Sequence, residues 1–153
     1  MSVQLPPNST GQVVDTFTTV AGKERQAIQS GSGTPANNFQ IVHTPVAATQ
    51  ATITQAAGAA GVRNVCTGIS ASLCTVGTAQ AAAVQLNLRD GATGAGTILW
   101  SMTFSCGTTT MIPVNISGLN IYGTAATAMT LEFSAAGVAA SFESVSLSGY
   151  TTA

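Results

Sequence analysis

From Val62 to Tyr150, apolar and polar residues alternate in one short run after another, and hardly a charge interrupts them. Val84, Leu86 and Leu88 share one face of such a run, with Gln85, Asn87 and Arg89 on the other. Ile98, Trp100, Met102 and Phe104 obey the same rule, as do Ile112, Val114 and Ile116. So do Met129, Leu131 and Phe133, opposed by Thr130, Glu132 and Ser134. Successive side chains on a strand point to opposite faces, so a period of two buries one face and wets the other. Val65, Ile69 and Leu73 fall on one face of an earlier strand. Phe142 is out of phase with Val145 and Leu147, which predicts a bulge in the last strand. No helical stripe competes with this pattern. Strands of about six residues with turns every eight to twelve or so fold into an antiparallel sandwich or barrel.

The turns agree. Asp90-Gly91 with Gly94 and Gly96 supplies the positive φ angles that a hairpin needs. Ser105-Cys106-Gly107-Thr108, Gly123-Thr124 and Gly137 mark three more. Upstream, Phe39 to Thr44 is a short strand that Pro45 ends or places on an edge. Ala51 to Gln55 is another, and Gln55 to Gly61 reads as a loop at least as well as a helix. Met1 to Gly11 is a lead-in rich in turn residues, and Val13 to Val20 is a strand or an extended arm. Ser30 to Asn38 has the composition of a linker. The expected division is an extended N-terminal arm and linker over 1–38 and a β-sandwich over 39–153.

A chain of 153 residues suits one such domain with an arm. Hydrophobic residues, at 45%, suffice for a core; charged residues reach only 6%, against about 25% in an ordinary domain. The surface is therefore covered by Thr, Ser, Asn, Gln, Gly and Ala, which offers little repulsion between copies and favours association. Lys23, Arg25, Arg63 and Arg89 cannot form a phosphate-binding stripe, so no nucleic-acid partner is expected. No run of about 18 apolar residues occurs, so no membrane span is expected. Met1 to Pro7 lacks the basic and apolar regions of a secretion signal, so synthesis and retention in the cytoplasm are expected until assembly. Cys66, Cys74 and Cys106 then argue against a disulfide framework. On one continuous strand Cys66 and Cys74 would lie about 26 Å apart, and they approach only if a turn falls between them. Buried or half-buried free thiols are the expectation.

Groups able to do chemistry are few. The single histidine, His43, and the three cysteines match no zinc spacing, and nothing supports a Cys–His nucleophile pair. Glu132 and Glu143 lie on the last two strands, where they could face each other across a hairpin. Like charges directly opposite are unfavourable, so solvent-facing or interface positions are expected rather than a glycosidase pair. Asp90 caps its own turn, and the carboxylates of a calcium site are lacking. Gly91 to Gly96 lacks the Gly-Lys-Ser/Thr of a phosphate loop. Trp100 is expected in the core with its face-mates. Tyr150, after a glycine at the end of the last strand, is expected to contact a neighbouring copy. No catalytic residue, metal or cofactor is expected, and the chain is read as a non-enzyme.

The stretch Arg89-Asp-Gly-Ala-Thr-Gly-Ala-Gly-Thr-Ile-Leu-Trp100 resembles the central hairpin of a module found in tailed-bacteriophage virions. Glu132-Phe133 and Phe142 to Tyr150 resemble its closing hairpin, and Val13 to Gln26 resembles an arm that precedes such modules. The resemblance covers most of the chain, and its motifs are turn and core motifs, which specify fold better than function. It implies an all-β, antiparallel jelly-roll-like β-sandwich with an extended N-terminal arm. Proteins of this kind are commonly capsid decoration (cement) proteins sitting as oligomers on the shell, a homotrimer by analogy. Similar sandwiches serve in tails and fibres as receptor- or glycan-binding knobs or adaptors. On this resemblance the partners are other copies and the major capsid protein, reached by an arm spanning about Val3 to Gln29 through Val13, Val14, Phe17, Lys23, Glu24 and Arg25. The three charges would set the register. The location implied is the capsid surface of a virion assembled in the host cytoplasm.

Overall fold

A computed structural model describes residues 15–18, 24–27, 37–80 and 82–153. The chain divides into two units, 1–34 and 35–153. In the first, β1 (Asp15–Thr18) and β2 (Glu24–Ala27) pair antiparallel, with Phe17 opposite Arg25 and Thr18 opposite Glu24.

The second unit contains β3 (Asn38–Val42), β4 (Thr52–Gln55), β5 (Arg63–Val76), β6 (Val84–Asp90), β7 (Thr97–Phe104), β8 (Thr109–Tyr122), β9 (Met129–Phe133) and β10 (Phe142–Thr152). They form two four-stranded antiparallel sheets, ordered β3-β10-β5-β8 and β4-β9-β6-β7. The pairing is nested. The chain doubles back between β6 and β7, and each earlier strand finds the strand equally far beyond that turn: β6 with β7, β5 with β8, β4 with β9, β3 with β10. A long ribbon rolled up in this way is a jelly roll. The β10–β5 and β6–β9 pairs close the two sheets.

Among the sandwich connections only β6–β7 is a hairpin; every other one crosses between the sheets. The turns at Ser105–Thr108, Gly123-Thr124 and Gly137 therefore lead from one layer to the other. β9 and β10 lie in different sheets, so Glu132 and Glu143 do not share a hairpin, contrary to expectation.

The core lies between the layers, with Ile69, Leu73, Val145 and Leu147 from one sheet and Leu86, Leu88, Leu131 and Phe133 from the other. The Phe104 and Phe133 rings meet edge-on, centroids 5.3 Å apart, the arrangement that aromatic quadrupoles favour.

Strict alternation fails where a strand carries an extra residue. Thr67 bulges from β5, because Ser148 pairs with Gly68 but Gly149 with Cys66. Val65 is thereby turned to the outer face, and Cys66 takes the core position. Gly149 is required beside this bulge: a Cβ there would collide with the Val65 carbonyl oxygen and press on the Phe39 ring. Leu99 bulges from β7, since Leu88 pairs with Trp100 and Arg89 with Ile98. Ile98 is consequently 45% exposed, while Leu99 and Trp100 pack against the core. The bulge predicted near Phe142 does not exist. Register runs unbroken from Phe142 opposite Cys74 to Leu147 opposite Ile69. The core-facing residue there is Glu143, opposite Leu73, and Phe142 points outward.

Candidate interaction surface

The two outer faces of the sandwich differ in kind. On the β4-β9-β6-β7 sheet the β6–β7 hairpin loop folds back over β9 and reaches β4. Glu132, expected toward solvent or an interface, is instead 1% exposed beneath that loop. The Arg89 Nε donates to its Oε1 at 2.5 Å, and the Gly94 amide donates to Oε2 at 3.0 Å. Thr130 donates to the Gly91 carbonyl at 2.7 Å, and the Thr52 and Thr93 hydroxyls lie 3.1 Å apart. A buried carboxylate needs a countercharge and donors, and the loop supplies them. Gly96, at φ +80°, lies so close to the Asp90 carbonyl that a Cβ has no room. The Asp90 carboxylate accepts from the Thr124 amide at 3.0 Å, so it ties the hairpin to the β8–β9 connection instead of capping its own turn as expected.

At one end of the core, the Glu143 Oε2 accepts from the Ala51 amide at 2.8 Å, and Oε1 is buried without a partner. Burial lifts this carboxyl to about 7, against the opposing pull of the Ala51 and Gly137 amides. Burial likewise raises the Cys66 thiol to about 11, opposed by the Gly68 backbone, and raises Cys106, with Cys74 adding to it. All three cysteines are free; Cys66 and Cys106 are buried, and Cys74 is partly exposed. Cys66 and Cys74 stand on the single strand β5. Among the described residues no three His, Cys, Asp or Glu side chains converge as metal ligands would.

The outer face of the β3-β10-β5-β8 sheet is open. Register places side chains on it in rows across the strands. At one end Phe142, Cys74 and Met111 stand side by side. At the other Tyr150, Val65 and Tyr122 do. Between them the rows are small and polar: Ser144, Ser72 and Pro113; Ser146, Ser70 and Asn115; Ser148, Gly68 and Ser117. A concavity of about 480 Å³ lies here, around Gly68, Ser70, Asn115, Ser117 and Ser148. Val42 at 62%, Met111 at 63%, Val76 at 52%, Tyr122 at 46% and Phe142 at 43% exposure all belong to this face by register. Among its described residues the one ionic side chain is Arg63, at the rim opposite Thr152.

Tyr150 thus stands on an open face in the same row as Tyr122, and the neighbouring phenol raises its hydroxyl above the usual range. Val65 beneath the pair is fully covered. Of the proposed arm contacts, Val13, Val14 and Lys23 lie outside the described residues, while Phe17, Glu24 and Arg25 lie on the β1–β2 ladder. Sequence reasoning missed the open face, although its signal was present: Ser70, Ser72, Ser144, Ser146 and Ser148 recur at outward positions of β5 and β10 with hardly an ion among them.

No family model and no curated protein matches the chain. A solved structure from work described as "Bacillus endospore appendages form a novel family of disulfide-linked pili" aligns with 99% of this chain and 100% of its own, at 14% identity and a TM-score of 0.29. A likeness that slight carries no argument about fold detail or function.

Proposed function

We propose that this chain is a non-enzymatic structural subunit of a tailed-phage virion, a capsid decoration protein. On this reading the jelly roll associates with other copies, and the residues before 38 attach it to the major capsid protein. The observation that carries the reading is the open outer sheet face, nearly free of ions and set with Val42, Val76, Met111, Tyr122 and Phe142. Several large apolar side chains exposed on one nearly uncharged face mark an interaction site. The turn and core motifs that resemble phage modules supply the biological setting, and a jelly roll is the architecture that resemblance implies. A tagged copy imaged on the source particle tests the proposal: label over the head supports it, and label absent from every particle overturns it. Deleting Met1 to Gln29 is expected to abolish attachment while the sandwich stays folded, as judged by its thermal unfolding. Full shell occupancy by the truncated protein would refute the role of the arm.

A second reading, a tail or fibre component that binds host glycan, is favoured by the uncharged hydroxyl- and amide-bearing concavity around Ser70, Asn115, Ser117 and Ser148. It predicts label at the tail and binding to host polysaccharide on a glycan array.

A further inference from the structure

We infer that the outer face of the β3-β10-β5-β8 sheet is where a second copy of this chain packs, sheet against sheet about a two-fold axis. This deepens the proposal above and rests on its reading of the chain as self-associating.

Three observations select a copy of the same face as the occupant. The first is charge. Apart from Arg63 at the rim, the described side chains of this face carry no ion. A charged partner would have to desolvate its ions without compensation, whereas a second neutral face brings none. The opposite sheet offers less, since the β6–β7 loop, held by Glu132 and Thr130, already lies over part of it.

The second is shape. The apolar rows, Phe142–Cys74–Met111 and Tyr150–Val65–Tyr122, stand at the two ends, and serines, a glycine and a proline fill the span between them. Small residues let two sheets approach to the usual packing distance of ~10 Å. The Ser148 hydroxyl already donates to the Gly68 carbonyl at 3.2 Å, so its burial leaves no donor orphaned. A two-fold operation brings like rows together, so each apolar row meets an apolar row.

The third is size. The β10–β5 ladder runs from Phe142 opposite Cys74 to Thr152 opposite Arg63. At ~3.3 Å per residue and ~4.8 Å per strand, the four-stranded face covers roughly 700 Å². That is close to the ~800 Å² per partner of a standard stable interface.

The full-length chain is tested by analytical ultracentrifugation across a concentration series, together with the rate at which a maleimide labels Cys74, the thiol lying on this face. The expected result is a dimer in which Cys74 labelling slows severalfold as the dimer forms. The double variant Phe142→Glu, Met111→Glu is expected to sediment as a monomer and to label at a rate that does not change with protein concentration. Ile98→Glu, on the other sheet, is expected to leave the dimer intact. Thermal unfolding verifies that each variant is folded; should the double variant not fold, Val42→Glu on edge strand β3 replaces it with the same expectation. A dimer that survives the face substitutions, a dimer lost on Ile98→Glu alone, or a trimer overturns the face assignment while self-association stands. A wild-type chain that stays monomeric, with Cys74 reactive throughout, overturns both face and self-association. Location on a particle is read separately, so failure of the virion reading is distinguishable from either.

Discussion

Glu143 shows how one side chain sets a measurable property. Its carboxyl sits at about 7 in the fold, against 4.5 ordinarily, because burial penalises its charged form more than the Ala51 and Gly137 amides favour it. The folded chain therefore holds this proton more tightly than the unfolded chain. The stability it confers is complete below 4.5 and is lost as pH rises through 7. Glu143→Gln is expected to abolish that dependence. Above neutrality the variant should exceed wild type by on the order of 2 kcal/mol in urea denaturation, and below 4.5 the gap should close. A wild-type stability that is flat across this range would refute the assignment. The thiols give a second expectation. In native protein at mildly alkaline pH, maleimide should label Cys74 first, and Cys66 and Cys106 only after denaturant is added, as followed by mass spectrometry. Free, buried or half-buried thiols were legible in the sequence; a core-facing Glu143 was not. Alternation assigns the inward place to the apolar Phe142, and only a fold that carries the Ala51 amide to Glu143 makes a core glutamate tolerable.

At the scale of elements, the β6–β7 hairpin holds more than its own turn. Arg89 and Gly94 neutralise and cap Glu132 on β9, and Asp90 holds the β8–β9 connection through Thr124. Arg89→Ala leaves a buried carboxylate without its countercharge and is expected to cost about 3–5 kcal/mol in chemical denaturation. Gly96→Ala forces a Cβ onto the Asp90 carbonyl at a positive φ, and is expected to lower the melting temperature by a loss of at least about 1–3 kcal/mol. This turn was legible because its glycines and Asp90 are local chemistry. The bulges at Thr67 and Leu99 were not, because each is defined by the register of a neighbouring strand remote in sequence. That is why Ile98 was assigned to the core and is found half exposed, and why Val65 is buried on the outer face rather than beside Ile69 and Leu73. Met129, Leu131 and Phe133, on a strand without a bulge, were read correctly.

At the scale of the molecule, periodicity sufficed for the class of fold, an antiparallel sandwich, because each run needed only to declare which face was apolar. It could not tell hairpins from crossings, and so it mistook the β9–β10 connection for a hairpin. The pairing itself has a consequence for how the chain comes into being. On a ribosome β3 emerges early, yet its partner β10 is made last; β4 waits for β9 and β5 for β8 in the same way. No ladder of the sandwich can form until β7 follows β6 out of the exit tunnel, and β3 stays unzipped until synthesis nears Thr152. The nascent jelly roll must therefore travel most of its translation as bare strands in need of shielding, and it commits to shape in a late inside-out closure rather than segment by segment.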